Sequence, residues 1–281
     1  MLITTIGELI QEKRNVLVFQ PGKQEIADTI ATLEQLLKRE NKKAVILPLH
    51  GELTPEEQKR IYKRYNEPVI IVATNIAQTS LTIPYIDAVV DSGKERRVEI
   101  KEGVETLVLG DISQADSLQR GGRAGRTKQG IYVLCNTTPF HQLATYPKPE
   151  IQRTLLDHNY LKILSTTGLK MEELTFFHQP PKELIEKAKN TLHILGAIDE
   201  QEQVTSLGKQ LASLPVDVNT GRMIIESLKY GVTDDILKIA AIKQVGGIIA
   251  KNAKLSEQLL DEDSDLLTHL NLYHQGKLIQ E

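Results

Sequence analysis

The sequence lacks two features that would place it outside the cell or in a membrane. Cys135 is the single cysteine among 281 residues, and no apolar run is as long as a membrane span, which needs roughly 20 residues. One cysteine excludes an internal disulfide framework and fits a reducing compartment. We therefore expect a cytoplasmic protein, or a nuclear one in a eukaryote, with no membrane partner.

The sequence also lacks an excess of basic residues and the spacings of known metal sites. Its formal net charge is −3, so any nucleic-acid contact must come from local placement of charge. The seven histidines show no H-E-x-x-H or Cys/His spacing, and we predict no metal site. No G-x-x-x-x-G-K-S/T or D-E-x-H stretch occurs, so the phosphate cradle and magnesium carboxylates of P-loop ATPases are missing.

The first 140 residues alternate short β-branched runs with helical patterns, which predicts a parallel α/β sheet. The runs are almost continuously apolar, as expected for strands that are buried on both faces. The predicted strands are Asn15–Gln20, Ala44–Pro48, Val69–Ala73, Ile86–Ser92 and Ile131–Cys135.

Local signals place further elements among these strands. Apolar residues recur every third or fourth position from Ile26 to Leu37, which predicts an amphipathic helix. Thr54 begins a capping box with proline at the first helical position, so a helix starts there. Arg97–Ile100 and Glu105–Leu109 are typical of a β-hairpin.

After about residue 140 the pattern changes. His141–Pro149 suits a linker, and the chain beyond it is mostly helical in pattern. Pro181 opens a helix that Gly196 closes, and a second helix runs from Ser206 to Pro215. Helices separated by a small hairpin suit a winged-helix module. Three further helices are predicted over Gly221–Lys229, Asp234–Lys243 and Ser256–Tyr273.

The densest chemical signal is the stretch QRGGRAGR at positions 119–126. On a helix, Gln119, Arg123 and Arg126 would share one face at i, i+4 and i+7. Glycine costs about 1 kcal/mol relative to alanine in a helix, so close approach of the backbone to another surface or a phosphate explains the three glycines better than helix stability does. Two guanidiniums on one face suit phosphoryl oxygens. A basic surface helix that forms salt bridges is the alternative.

Positions 119–126 resemble motif VI of superfamily 2 helicases, whose pattern is Q-R-x-G-R-x-G-R. Ala73–Thr82, with the sequence ATNIAQTSLT, resembles motif V of the DEAH-box branch. Val16–Ile26 resembles motif IV, and Pro48–Gln58 resembles the stretch between motifs IV and V. The order and spacing of these four segments are similar to those of DEAH-box RNA helicases.

The resemblance covers nearly the whole chain and implies three domains. Residues 1–140 would form the second RecA-like helicase domain, 141–215 a winged-helix domain, and 216–281 a helical ratchet-like domain that looks unfinished at Glu281. The implied fold class is α/β: a RecA-like parallel sheet sandwiched by helices, followed by a winged-helix domain and a helical segment.

The resemblance also implies roles at a nucleotide site. Gln119, Arg123 and Arg126 would face the γ-phosphate of ATP, with the two arginines acting as fingers. Ser80 would help to position the attacking water, and Gly122 would let the backbone approach the nucleotide. ATP with Mg²⁺ would be bound mainly by a first RecA-like domain, which this sequence does not contain.

Further implied roles concern nucleic acid, with single-stranded RNA favoured over DNA. Thr74, Asn75 and Thr82 would touch the nucleic-acid backbone and couple it to the nucleotide site. The hairpin carries Arg96 and Arg97, which suit phosphates. Its interleaved glutamates leave a solvated ribbon of mixed charge as the alternative.

Four positions need separate mention. Tyr62 has the place of an aromatic that stacks on adenine in this family, although an ordinary half-buried tyrosine is the alternative. Gln78 stands where the family usually has glutamate, a near-isosteric loss of charge. Pro84 stands where many members have an aspartate that holds the ribose, which puts that contact in doubt. Gly121 replaces a common alanine, and we expect the change to be tolerated.

The implied function is the C-terminal part of an ATP-dependent RNA helicase. Joined to a first RecA-like domain, the chain would couple ATP hydrolysis to RNA translocation or unwinding, and alone it would be inactive. A naturally truncated, non-catalytic nucleic-acid-binding or regulatory module is the alternative. A viral-type helicase of the same superfamily is a further alternative, which the winged-helix pattern favours less.

Overall fold

The computed structural model describes residues 1–79, 81–101, 103–125, 129–249, 256 and 259–280. The chain divides into two compact units, Met1–Thr154 and Leu155–Glu281.

A five-stranded parallel sheet forms the first unit, in the order β2-β3-β1-β4-β7. All five predicted strands are confirmed, with ends within two residues of the predicted ones. The strands of the sheet are β1 (Val16–Phe19), β2 (Val45–Leu49), β3 (Val69–Ala73), β4 (Ala88–Asp91) and β7 (Ile131–Leu134).

The sheet is covered on both faces because alternate residues of each strand point in opposite directions. On one face, Val16 and Val18 pack in a cluster with apolar residues of α1 (Leu2–Gln11) and α2 (Lys23–Arg39). On the other face, Leu17 and Phe19 pack in a second cluster that is likewise buried. The near-continuous apolar runs of the sequence are explained by this two-sided burial.

Short elements connect the strands. The predicted capping box is confirmed at α3 (Pro55–Lys59), where Thr54 and Glu57 exchange hydrogen bonds. The predicted hairpin is also confirmed, and it is longer than expected, with β5 (Lys94–Lys101) paired along its whole length with β6 (Val104–Asp111). The remaining helices of this unit are α4 (Ile76–Thr79) and α5 (Gln114–Gly121).

The second unit is helical. Ile185, Ala188 and Leu192 bury one face of its second helix, and Gly196 follows that helix in the left-handed region at φ 71°. Ile198 and Val204 then pair as an isolated antiparallel bridge. The helices are α6 (Asp157–Thr167), α7 (Lys182–Ile194), α8 (Ser206–Ser213), α9 (Val218–Tyr230), α10 (Thr233–Gln244) and α11 (Asp265–Gln280).

The helix predicted over Ser256–Tyr273 is wrong at its start. Ser256 is not helical, and α11 begins at Asp265, after the hydroxyl of Ser264 accepts a bond from the backbone N–H of Leu267 (3.3 Å). The carboxylate of Asp261 accepts from the N–H of Asp263, which bends the chain before the helix. Serine and aspartate side chains compete with helical hydrogen bonds in this way. The rest of the predicted start, 257–258, lies outside the described residues.

Candidate functional site

The candidate site lies at the carboxyl ends of β1, β3 and β4. These ends are neighbours, because Phe19 is in register with both Ala73 and Asp91. Beyond β3 the chain turns through Thr74 and Asn75 into α4, and the N–H of Thr74 donates to the carbonyl of Leu49 (3.1 Å). Ligands of open α/β sheets bind at this end of the strands.

The helix that carries Gln119 ends earlier than its sequence pattern predicts. It begins at a capping box between Ser113 and Asp116 and ends at Gly121. Arg123 therefore lies beyond the helix, and the prediction of one helical stripe through Gln119 and Arg123 is wrong. The third member of that stripe, Arg126, lies outside the described residues.

Two glycines allow the close packing of α5 and the backbone conformation of the loop that follows it. A Cβ atom on Gly121 would lie 3.2 Å from Cγ of Tyr132, so the helix backbone rests against that ring. Gly125 has φ 79°, a left-handed conformation that glycine adopts without strain. Close approach of the backbone to another surface, which the glycines predict, is confirmed at Gly121.

Arg120 is the buried anchor of α5. It is 1% exposed, its Nη1 lies 3.0 Å from Oδ1 of Asp91, and its guanidinium carbon lies 4.9 Å from the ring centroid of Phe19. The hydroxyl of Tyr132 donates to the other oxygen of Asp91 (3.0 Å). Burial, and then the Asp91 charge, raises the pKa of the Tyr132 hydroxyl, which keeps it protonated as a donor. A buried ion pair needs such additional hydrogen bonds to be stable.

Gln78 links α4 to α5. Its side chain is buried, and its Nε2 lies 2.8 Å from Oδ1 of Asp116 and 2.8 Å from Oε1 of Gln119. Its Oε1 accepts from Nε of Arg120 (2.9 Å). One amide therefore connects α4 to three side chains of α5.

The two described residues that were predicted to face the γ-phosphate differ in exposure. The side chain of Gln119 is exposed. Arg123 is half-buried, and its Nη1 donates to the carbonyl of Leu81 (3.3 Å) in the segment after α4. Ser80, predicted to position water, lies outside the described residues.

The other predicted nucleotide contacts are accessible. Tyr62 ends a short helical turn and is 49% exposed, and Gly122 is exposed directly after α5. Of the predicted nucleic-acid contacts, Asn75 and Thr82 are exposed and Thr74 is half-buried.

The two hairpin arginines that were predicted to bind phosphates form ion pairs with carboxylates of the chain itself. Nη2 of Arg96 lies 2.6 Å from Oε1 of Glu25, and Nε of Arg97 lies 2.6 Å from Oε1 of Glu99. The hydrogen bond to Glu99 raises the pKa of Arg97 despite some burial. Binding of a phosphate by either arginine would require exchange of these partners.

Sequence reasoning gave no role to Arg120 or Asp91, the pair that fixes α5. A signal was available, because Asp91 ends a strand that was predicted to be buried on both faces. A carboxylate in such a place requires a cation or several donors. Within the described residues, no group of three His, Cys, Asp or Glu side chains could hold a metal, and no helix is long and apolar enough to cross a bilayer.

Comparison with known families gives two matches. Residues 1–128 match the helicase conserved C-terminal domain. Residues 190–216 match the helicase associated domain (HA2), a winged helix.

Curated proteins that are similar to this chain are described as ATP-dependent RNA helicases. The chain is 33% identical over 292 residues to the ATP-dependent RNA helicase HrpA of Escherichia coli, an alignment that covers 97% of the chain and 22% of HrpA. It is 33% identical over 276 residues to the probable ATP-dependent RNA helicase DHX34 of Homo sapiens, covering 94% of the chain and 24% of that protein. The chain thus spans about a quarter of the length of these relatives.

Solved structures agree with this. The chain superposes on two crystal structures of E. coli HrpB, described as a DExH-box NTPase and as a DEAH/RHA helicase. The TM-scores are 0.76 and 0.79, with 25% and 26% identity. Each superposition covers 99% of the chain, and 34% and 36% of the HrpB chains.

The sheet, its flanking helices and the two matched domains define a RecA-like helicase C-terminal domain followed by a helical segment. Residues 1–128 belong to the helicase conserved C-terminal domain family, and over nearly its whole length the chain is similar to ATP-dependent RNA helicases and to a DEAH/RHA helicase.

Proposed function

We propose that this chain is the part of an ATP-dependent RNA helicase that completes the nucleotide site and binds RNA. The observation that carries the proposal is the contrast at the end of α5. Arg120 is buried and fixed, while its neighbour Gln119 is exposed and Arg123 follows on the loop directly after the helix. A fixed helix end beside one exposed donor residue, Gln119, and one half-buried one, Arg123, suits recognition of an anion that another domain presents.

In this proposal Gln119, Arg123 and Arg126 face the γ-phosphate, and Ser80 positions the attacking water. Tyr62 stacks on the adenine, and Gly122 allows close approach. ATP with Mg²⁺ is held mainly by a first RecA-like domain in cis, since the chain has no phosphate cradle of its own. The bond from Arg123 to the Leu81 carbonyl joins a charged donor to a neutral acceptor, and a phosphoryl oxygen would be the stronger partner.

We further propose the domain division 1–140, 141–215 and 216–281, and single-stranded RNA as the substrate. Thr74, Asn75 and Thr82 would contact its backbone from the exposed end of β3 and the segment after α4. Arg96 and Arg97 would exchange carboxylates for phosphates, so their contribution should weaken as salt rises. A cytoplasmic location remains a prediction from the cysteine content.

The test is phosphate release by the chain supplied with the nucleotide-binding RecA-like domain of a relative such as E. coli HrpA. We expect no turnover by the chain alone, and RNA-stimulated turnover by the mixture. Arg123→Ala should lower that turnover by about 10³-fold, the scale of an arginine finger. Arg39→Ala is the matched control, because Arg39 is an exposed arginine at the end of α2.

Two outcomes would contradict the proposal. Turnover by the chain alone would mean that it has a phosphate site of its own. A mixture that hydrolyses ATP equally with wild type and Arg123→Ala would remove the finger assignment. If the mixture binds RNA but never hydrolyses ATP, the non-catalytic binding module becomes the better description.

A further inference from the structure

Gln78 has neighbours that dictate which way its amide points. The carboxylate of Asp116 can only accept hydrogen bonds, and Nε of Arg120 can only donate one. The nitrogen of the Gln78 amide must therefore face Asp116 (2.8 Å), and its oxygen must face Arg120 (2.9 Å). The reverse orientation would place acceptor against acceptor and donor against donor.

This orientation is passed on to Gln119. An amide nitrogen carries two protons, and the second one of Gln78 points at Oε1 of Gln119 (2.8 Å). The oxygen of Gln119 is thereby occupied on the inner side. The nitrogen of the same amide belongs to an exposed side chain.

We infer that Gln78 is a positioning residue that sets the amide orientation of Gln119, so that Gln119 presents N–H donors and not an oxygen to an approaching phosphoryl group. The orientation follows from the hydrogen bonds alone. Its use toward a phosphoryl group rests on the proposed function.

Asp116 and Gln78 form a matched pair in this chain. A glutamate at position 78 would offer only acceptors when ionised. Here it would repel the carboxylate of Asp116 and meet the oxygen of Gln119, which would have to turn its amide over. In this chain the carboxylate therefore stands at position 116 and the amide at position 78. The carboxylate of Asp116 also accepts a hydrogen bond from the hydroxyl of Ser113, the N-cap residue of α5 (Oγ to Oδ2, 2.6 Å).

The test uses two variants of the full chain, Gln78→Glu and Gln78→Glu with Asp116→Asn. The Asp116→Asn change introduces an amide that can keep its oxygen toward Ser113 and donate its nitrogen to the new carboxylate at position 78. The double variant therefore removes the charge repulsion and leaves the oxygen of Gln119 facing an acceptor. It separates folding from the orientation of Gln119.

The readout is solvent exchange of the side-chain amide protons in glutamine-labelled chain, followed by NMR. Gln119→Ala assigns the Gln119 signals by their loss. In the wild type, the Gln78 protons should be protected and the Gln119 protons should exchange as in an exposed amide. In the double variant, which should melt at the wild-type temperature, one of the two Gln119 amide protons should become roughly tenfold more protected, because it now donates to a carboxylate.

Protected Gln119 protons in the wild type, or unchanged exchange in the double variant, would overturn the inference. The phosphate-release assay adds the functional arm. There Gln119→Ala should lower turnover at least about tenfold, as expected when donors at a phosphoryl group are lost. If Gln119→Ala leaves turnover unchanged, the nucleotide assignment fails, while the exchange result still decides the orientation.

Discussion

In the described part of each unit, a cation pairs with carboxylate and lies near an aromatic ring, but the two arrangements differ. In the first unit, Arg120 is 1% exposed, pairs with Asp91 and lies 4.9 Å from the ring centroid of Phe19. In the second unit, Lys189 keeps 15% of its side chain exposed and lies 6.0 Å from the ring centroid of Tyr160. The acidic partners of Lys189 are Glu172, Glu186 and Glu202.

The difference shows which cation can define a geometry. The planar guanidinium of Arg120 offers donors in fixed directions, and Asp91, Gln78 and the carbonyl of Lys94 receive them. The ammonium of Lys189 is a point charge that several carboxylates share, so the loss of one partner changes little. We therefore expect the Arg120 network to fix the candidate site and the Lys189 cluster to contribute stability alone.

The largest effect is expected for Arg120→Ala. This change leaves the fully buried carboxylate of Asp91 without its cation, which costs roughly 3–5 kcal/mol of the free energy of unfolding. Hydrogen exchange resolved by peptide should show the loss in β4, β7 and α5, with the second unit unchanged.

Arg120→Lys is the control for charge alone. This change keeps the positive charge and loses the planar guanidinium, so the free energy of unfolding should lie between those of the wild type and the alanine variant. If Arg120→Ala lowers the free energy of unfolding by less than about 1 kcal/mol, the proposed difference between the two cations is wrong, because Asp91 would then not depend on Arg120.

A smaller effect is expected for Lys189→Met, which keeps the apolar stem against Tyr160. We expect a loss of about 1 kcal/mol, since partly exposed ion pairs contribute modestly and the remaining glutamates can turn to solvent. The exchange should increase in α6 and α7 alone. A loss as large as that of Arg120→Ala would mean that the two cations are equivalent.

The smallest effect is expected for Glu202→Gln and depends on pH. The hydrogen bond from Lys170 (2.6 Å) lowers the pKa of Glu202 below its ordinary value of 4.5 in spite of partial burial. Stability from this carboxylate is therefore present above about pH 4.5 and is lost as the pH falls below it. The free energies of unfolding of wild type and variant should converge between about pH 5 and pH 3. A constant difference across that range would contradict the assigned shift.

The elements that depend on local spacing could be predicted from the sequence. The five sheet strands follow from apolar runs, and the start of α3 follows from the capping box at Thr54. The end of α5 was missed because the periodic pattern continues through Arg123. The helix ends at Gly121, because the glycines from that position onward stabilise a helix less than other residues do.

The buried network could not be predicted in the same way. Arg120 and Arg123 are equivalent in the motif pattern, and burial of one depends on Asp91, which is 29 positions away. The partners of Gln78 in α5 are 38 to 42 positions away. Such contacts arise from the packing of strands and helices, and one sequence alone does not encode them in its local pattern.

Because the buried Arg120 fixes the end of α5, we expect Gln119 and Arg123 to present donors to a nucleotide that another domain holds. The most direct measurement is the affinity of the chain for the nucleotide-binding RecA-like domain of E. coli HrpA in the presence of ADP, Mg²⁺ and aluminium fluoride, which together mimic the transferring phosphoryl group. We predict association by the wild type that the mimic strengthens, and loss of that strengthening in Arg123→Ala with its fold intact. Equal association by wild type and variant, with or without aluminium fluoride, would show that these donors do not meet the nucleotide.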